Sequence, residues 1–277
     1  MFDVLVEMFS YPFLVRAVIV GALVSLCAAL LGNSLVLKRY SMIGDGLSHV
    51  GFGALAVATA FGWAPLAVSI PLVVLAAFLL LRLSDNSKIK GDAAIAMIST
   101  GSLAVGVIVL SLTTGMTTDV SSYLFGSILA MNKTDVYMSM VLSIVVIVIF
   151  LLFYHKIFAV TFDETFARAT GVKAGGYNML LAFLTAITIV LGMRMMGAML
   201  ISSLIIFPAL TAMRLCKTYR SVILCSVVVS LICFFIGVVV SYLYAMPTGA
   251  SVVMVNILAF GIFAAIAAVK GKVKKPA

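Results

Sequence analysis

The sequence is 277 residues long, 64% hydrophobic and only 10% charged, against about a quarter charged in ordinary soluble domains. That balance excludes a soluble globular enzyme and leaves an all-α polytopic membrane protein, embedded in the lipid bilayer. Its formal net charge of +9 would suggest nucleic acid in a soluble chain; here no nucleic acid is implied, because cytoplasmic membrane loops carry an excess of lysine and arginine.

The first dozen residues, MFDVLVEMFSYP, lack a basic n-region and an A-x-A-like cleavage site, and read as an interfacial lead-in anchored by Phe2, Leu5 and Phe9. Apolar runs of about 20 residues, enough to span a bilayer, follow at 13–36, 41–61, 65–82, 92–112, 134–154, 177–193, 195–213, 221–245 and 250–269. Only Gly192 to Gly197 separates the sixth run from the seventh, so the count is nine, or eight with one run re-entrant or broken. Alternate loops of a nine-span chain divide the basic residues unevenly. One set, from Lys38 and Arg39 to the lysines of the tail, holds fifteen of the eighteen; the other holds Arg16, Lys133 and Arg194. The basic set belongs in the cytoplasm, which places the N-terminus outside and the C-terminus inside. The whole chain is then one transmembrane domain: spans across 13–270, a cytoplasmic loop at 156–176 and a basic cytoplasmic tail at 270–277.

Two loops are more than turns. The outer stretch from Thr113 to Lys133 is half apolar and reads as a re-entrant or interfacial helix. The inner one, KIFAVTFDETFARATGVKAGG, contains a short helix that Asp163 caps, Glu164 supports in its first turn and Gly171 ends. Such a helix is a natural docking element for a soluble partner, although an ordinary solvated loop has the same composition. The cysteines, Cys27, Cys216, Cys225 and Cys233, have no C-x-x-C spacing and read as free thiols.

The second span begins SMIGDGLSHVGFG and carries Asp45 and His49 four residues apart. On a helix that spacing stacks the two side chains on one face. All other acidic residues fall in loops, tails or segment ends, and the remaining histidine, His155, borders Lys156 at a helix end. The apolar interior therefore holds one carboxylate and one imidazole, side by side. An ionisable group at that depth marks a functional site by default, and the oxygen and nitrogen donors together make half a site for a divalent transition metal. Gly44, Gly46, Ser48, Gly51 and Gly53 around them would admit another backbone or a hydrated ion. The plainer reading makes Asp45 a helix cap in headgroup water, just after Lys38 and Arg39, and His49 a core histidine.

The second unusual stretch is MRMMGAMLISSLIIFPALTA, from Met193 to Ala212. Pro208 frees a carbonyl inside a span, Ser202 and Ser203 are candidates with Ser48 for lining a polar path, and Met193, Met195, Met196 and Met199 are soft-ligand candidates that read better as packing. No H-E-x-x-H, G-x-S-x-G or phosphate-loop motif occurs, so any ATP hydrolysis must be on another chain.

The runs VLKRYSMIGDGLSHVGFGALA, SSYLFGSILA, FDETFARATGV and MGAMLISSLIIFPALTA together resemble the ABC-type zinc/manganese importer permeases, over nearly the whole chain from about Phe13 to Lys270. The resemblance implies a homodimeric permease that pairs with cytoplasmic ATP-binding subunits and takes its ion from an extracytoplasmic metal-binding protein. It places Asp45 and His49 at the metal-pathway positions of the G-D-x-x-S-H motif. It makes the segment around Asp163, Glu164, Ala167 and Gly171 the coupling element for the ATPase. The chain would bind no cofactor of its own, the metal being cargo, with zinc first and manganese second. Two rivals stand beside this reading: a permease for iron chelates or a cobalamin-like ligand, and an intramembrane enzyme using Asp45 and His49 as an acid/base pair.

Overall fold

The computed structural model describes residues 10–86, 91–114 and 133–273. The lead-in at 1–9, nearly all of the loop between Thr113 and Lys133 and the end of the tail lie outside those residues, together with the readings made for them. Among the described residues the chain is a succession of eleven helices with no strand: α1 (Pro12–Leu37), α2 (Ser41–Ala60), α3 (Pro65–Asn86), α4 (Gly91–Thr114), α5 (Lys133–Leu152), α6 (Tyr154–Phe162), α7 (Glu164–Ala169), α8 (Ala174–Met196), α9 (Ala198–Leu215), α10 (Tyr219–Tyr244) and α11 (Thr248–Val273). Nine are long, and α6 and α7 are the short pair in the 156–176 loop.

Local chemistry sets the ends of these helices. Pro12 opens α1, where a missing N–H loses no bond. The helix closes with Arg39 in the left-handed region (φ 61°), the Tyr40 N–H donating to Leu35 O at 2.8 Å and the Arg39 N–H to Val36 O at 3.1 Å. This is a Schellman turn built on arginine, at a cost of roughly 1–2 kcal/mol, and it leads into α2 within three residues. Between α8 and α9 stands one residue, Gly197, at φ 82° and ψ 162°, a conformation essentially reserved for glycine. The chain doubles back there: Gly192 lies so close against Ile201 that an added methyl would collide with it. The sixth and seventh runs are thus two separate helices.

Eight of the long helices are apolar enough to cross a membrane. The exception is α2, whose 20 residues include Asp45, His49 and four glycines. At 1.5 Å per residue it is about 30 Å long, as long as its neighbours, and it packs against α3, α4, α8 and α9. The centre of the bundle is α1, α8 and α9; 67% of the α8 span is buried but only 11% of the α11 span. Buried polar rungs join α1 to α10: Asn33 donates to Ser226 Oγ at 2.6 Å, Ser34 pairs with Tyr219 at 2.9 Å, and Ser230 donates to Ser25 O at 3.1 Å. Gly32 lets α9 come near enough that a methyl there would strike the Ile205 carbonyl, three residues before Pro208. All four cysteines are free, with Cys27 and Cys233 buried.

Candidate functional site

Asp45 and His49 are the fifth and ninth residues of α2. Their side chains lie on one face with His49 Nε2 3.8 Å from Asp45 Oδ2, an ion-pair distance too long for a hydrogen bond. Two donors on a tetrahedral zinc with bonds of about 2.0–2.2 Å stand roughly 3.4 Å apart, so a small rotamer change brings both onto one ion. Asp45 is 44% exposed and His49 24%. His49 Nδ1 is buried and has no hydrogen-bond partner, which leaves imidazole donor capacity unused. The cap reading does not describe this geometry: Tyr40 holds the N-cap position without a side-chain bond, and Asp45 lies a full turn further in. No cluster of three or more His, Cys, Asp or Glu side chains occurs among the described residues. At this point one chain holds one carboxylate and one imidazole.

The other residues marked in the sequence divide. Ser48 Oγ donates to Gly44 O at 2.8 Å and meets Ser202 Oγ at 2.8 Å, tying α2 to α9 directly behind the pair. Ser203 turns back on Leu200 O at 2.8 Å, and Pro208 is buried inside α9. Ser48, Ser202 and Ser203 are all buried; the first two join α2 to α9, and Ser203 bonds within its own helix. The expectation that the glycines admit a hydrated ion is corrected: their notches are filled. Ile205 lies over Gly44, Ile95 over Gly46, Met193 over Gly51 and the Ser102 backbone over Gly53. Gly51 is two residues, about 200° of helix, beyond His49, so Met193 packs on the far face and offers no sulfur to the pair. Met196 fills the notch at Gly21 in the same way, and Met199 is exposed.

In the 156–176 loop Asp163 caps α7, accepting from the Phe166 N–H at 2.8 Å, and Gly171 (φ 82°) ends it in a second Schellman turn, with Val172 N–H on Ala167 O at 2.9 Å. Ala167 is fully buried against Val160 and Ala174; it anchors the helix. The surface that α7 and the end of α6 offer outward includes Phe162, Phe166 (64% exposed) and Arg168.

Glu164 does something the sequence did not announce. Its Oε2 accepts from Lys38 at 3.3 Å and from Asn178 Nδ2 at 3.0 Å, while Oε1 accepts from Arg168 at 2.5 Å. Lys38 also donates to Asn178 Oδ1. Burial by itself would raise the Glu164 carboxyl, but the bonds from Asn178 and Arg168 and the charge of Lys38 outweigh it and hold the group below the usual glutamate range. Lys38 counted in the sequence only as a loop charge, and Asn178 was not singled out. Nothing in their spacing pairs them.

Comparison with known proteins gives a coherent set. The family described as "ABC 3 transport family" matches residues 10–267. The chain is 30% identical over 260 residues to a probable iron transport system membrane protein of Haemophilus influenzae, covering 94% of this chain and 92% of that one. It is 29% identical to the manganese import system permease protein ScaB of Streptococcus gordonii (91% and 90% covered) and 29% identical to the high-affinity zinc uptake system membrane protein ZnuB of Haemophilus influenzae (90% and 96% covered). Among solved structures, PsaBC from Streptococcus pneumoniae in complex with Fab superposes with a TM-score of 0.85 at 28% identity, covering 94% of each chain.

Proposed function

The chain belongs to the ABC 3 transport family, and from that membership we propose that it imports divalent transition-metal ions, zinc first and manganese second, with Asp45 and His49 as the ligands that each ion passes. At the coarser level it is a metal-transport permease subunit, a multi-pass protein of the cell membrane and not an enzyme. The single observation that carries the finer reading is the juxtaposed carboxylate and imidazole in the one long helix that falls short of ordinary span hydropathy.

Oxygen and nitrogen donors suit zinc and manganese, whereas Cu(I) prefers sulfur; imidazole ligation puts zinc ahead. Relatives named for manganese, zinc and iron set the ions to be compared. Two donors hold an ion loosely, as passage requires. The half-exposed side of Asp45 leaves room for a second copy of the chain, as a homodimer requires. Ions would arrive from an extracytoplasmic metal-binding protein. Cytoplasmic ATP-binding subunits would seat on Phe162, Phe166 and Arg168, with the basic loops on the same side of the membrane. A chelate-sized cargo fits less well, because Ile95, Ile205 and Met193 close the glycine notches around the pair. The acid/base enzyme lacks a nucleophile: Ser48, Ser202 and Ser203 all spend their hydroxyls on each other or on carbonyls.

The test is metal uptake at matched membrane abundance. Asp45→Asn keeps size and one acceptor but loses the charge, and His49→Gln loses the ring nitrogen. Each should lower uptake by about tenfold or more while assembly with the ATP-binding subunits persists. Near-normal uptake by Asp45→Asn would make the pair structural.

A further inference from the structure

We infer that Lys38 is a positioning residue for transport, joining the cytoplasmic helix α7 to the turn from which the Asp45–His49 helix springs. The inference rests on the function proposed above and adds the route by which movement of α7 reaches the ions.

The side chain of Lys38 is only 8% exposed, and lysine is almost never buried unless it is paired. Its partners come from two other elements: Glu164 from α7, at 3.3 Å, and Asn178 from α8. Asn178 Nδ2 closes the ring by donating to the same Glu164 oxygen at 3.0 Å, and Arg168 holds the other oxygen at 2.5 Å. Glu164 is therefore held by two other elements and by its own helix at once. Residues 126 and 140 positions along the chain meet at one ammonium group.

What lies on the far side of Lys38 gives the ring its consequence. Lys38 is the C-cap of α1, and the Schellman turn through Arg39 and Tyr40 leaves no slack before α2 begins at Ser41. Asp45 follows four residues later, about 6 Å along the helix, and His49 about 6 Å beyond it. A shift of Lys38 therefore moves the start of α2 as a body. On the near side, α7 has six residues, far too few to be stable alone, so it moves only as its anchors allow. Those anchors are the buried Ala167 and this ring. An apolar contact would hold two helices at least as well without desolvating a charge. An ionic ring differs in having a made and a broken state, which suits an element with two discrete positions.

The experiment uses the complete transporter, reconstituted in vesicles with its ATP-binding subunits and binding protein, and measures metal delivered per ATP hydrolysed. Lys38→Met removes the charge and keeps the stem; Glu164→Gln attacks the ring from its more exposed side, should the first variant assemble poorly. Each should lower metal delivered per ATP by about three- to tenfold. Lys38→Arg, which retains charge and donors, should recover most of the ratio, and the double variant should be no worse than the poorer single one. An unchanged ratio in both single variants, or transport and hydrolysis falling in proportion, overturns the inference and leaves a structural staple. A wild-type complex that moves none of zinc, manganese or iron overturns the proposed function instead.

Discussion

Glu164 accepts from three donors, and its acid behaviour follows from them. Its carboxyl is held below the ordinary range because the Asn178 and Arg168 bonds and the Lys38 charge outweigh the effect of burial. A depressed carboxylate contributes stability that is complete above its unfolded value, about 4.3, and is lost as pH falls through the lower folded value. The 156–176 loop should therefore keep its amide protection down to that range and lose it below, while Glu164→Gln should show weaker protection already at neutral pH and no further acid step. Hydrogen exchange of the solubilised protein across that interval reads both outcomes; an identical acid step in the two proteins would remove Glu164 as its source. At the same scale, Asp45 and His49 were legible in the sequence because i, i+4 stacking is a property of any helix. Their unpartnered Nδ1 and 3.8 Å separation depend on neighbours and were not.

Among the elements, α7 shows how far local signals reach. Its cap at Asp163 and stop at Gly171 were readable, since both act within a few residues. The sequence grouped Ala167 with them as part of the coupling segment, and only packing shows that it faces Val160 and Ala174. Ala167→Glu would force a charge into that contact. Once undocking is favoured by an additional ~1.4 kcal/mol, the open population rises about tenfold. Trypsin should then cut at Arg168 correspondingly faster in opened membranes, with Asp163→Asn, itself a good cap, cut at the wild-type rate. Equal rates for Ala167→Glu and wild type would mean that α7 is not held by this residue. The Gly197 break carries the same lesson. The runs 177–193 and 195–213 could be read as two spans or as one broken or re-entrant run, because two helices in line and two helices folded back share one hydropathy profile.

For the whole molecule, the question is whether α2 crosses the membrane with the other eight. Its length and its enclosure by four helices favour crossing, as does the alternation of basic loops, in which Lys38 and Trp63 fall on opposite sides. Trp63 and Leu37 are both exposed and flank α2 in the chain. In a chain lacking the four native cysteines, Trp63→Cys should react with a membrane-impermeant maleimide on intact cells, and Leu37→Cys only after permeabilisation. Labelling of both from one side would make α2 re-entrant, and labelling of Leu37→Cys alone on intact cells would reverse the orientation.

By itself the sequence determined the all-α membrane class, eight or nine long apolar runs with bounds within a few residues of the helices observed, the stacked Asp45 and His49, and the ends of α7. Each rests on apolar run length, helical period or a cap, and such signals act over a turn or two of chain. Only the tertiary structure decided which helices form the centre, that the glycine notches of α2 are filled, that Ser48 meets Ser202 from 154 residues away, and that Lys38 closes on Glu164 and Asn178. The physical reason is the solvent. Lipid is as apolar as leucine, so a helix face turned to the bundle and one turned to the bilayer are written in the same residues, and the period that betrays buried faces in water is silent here.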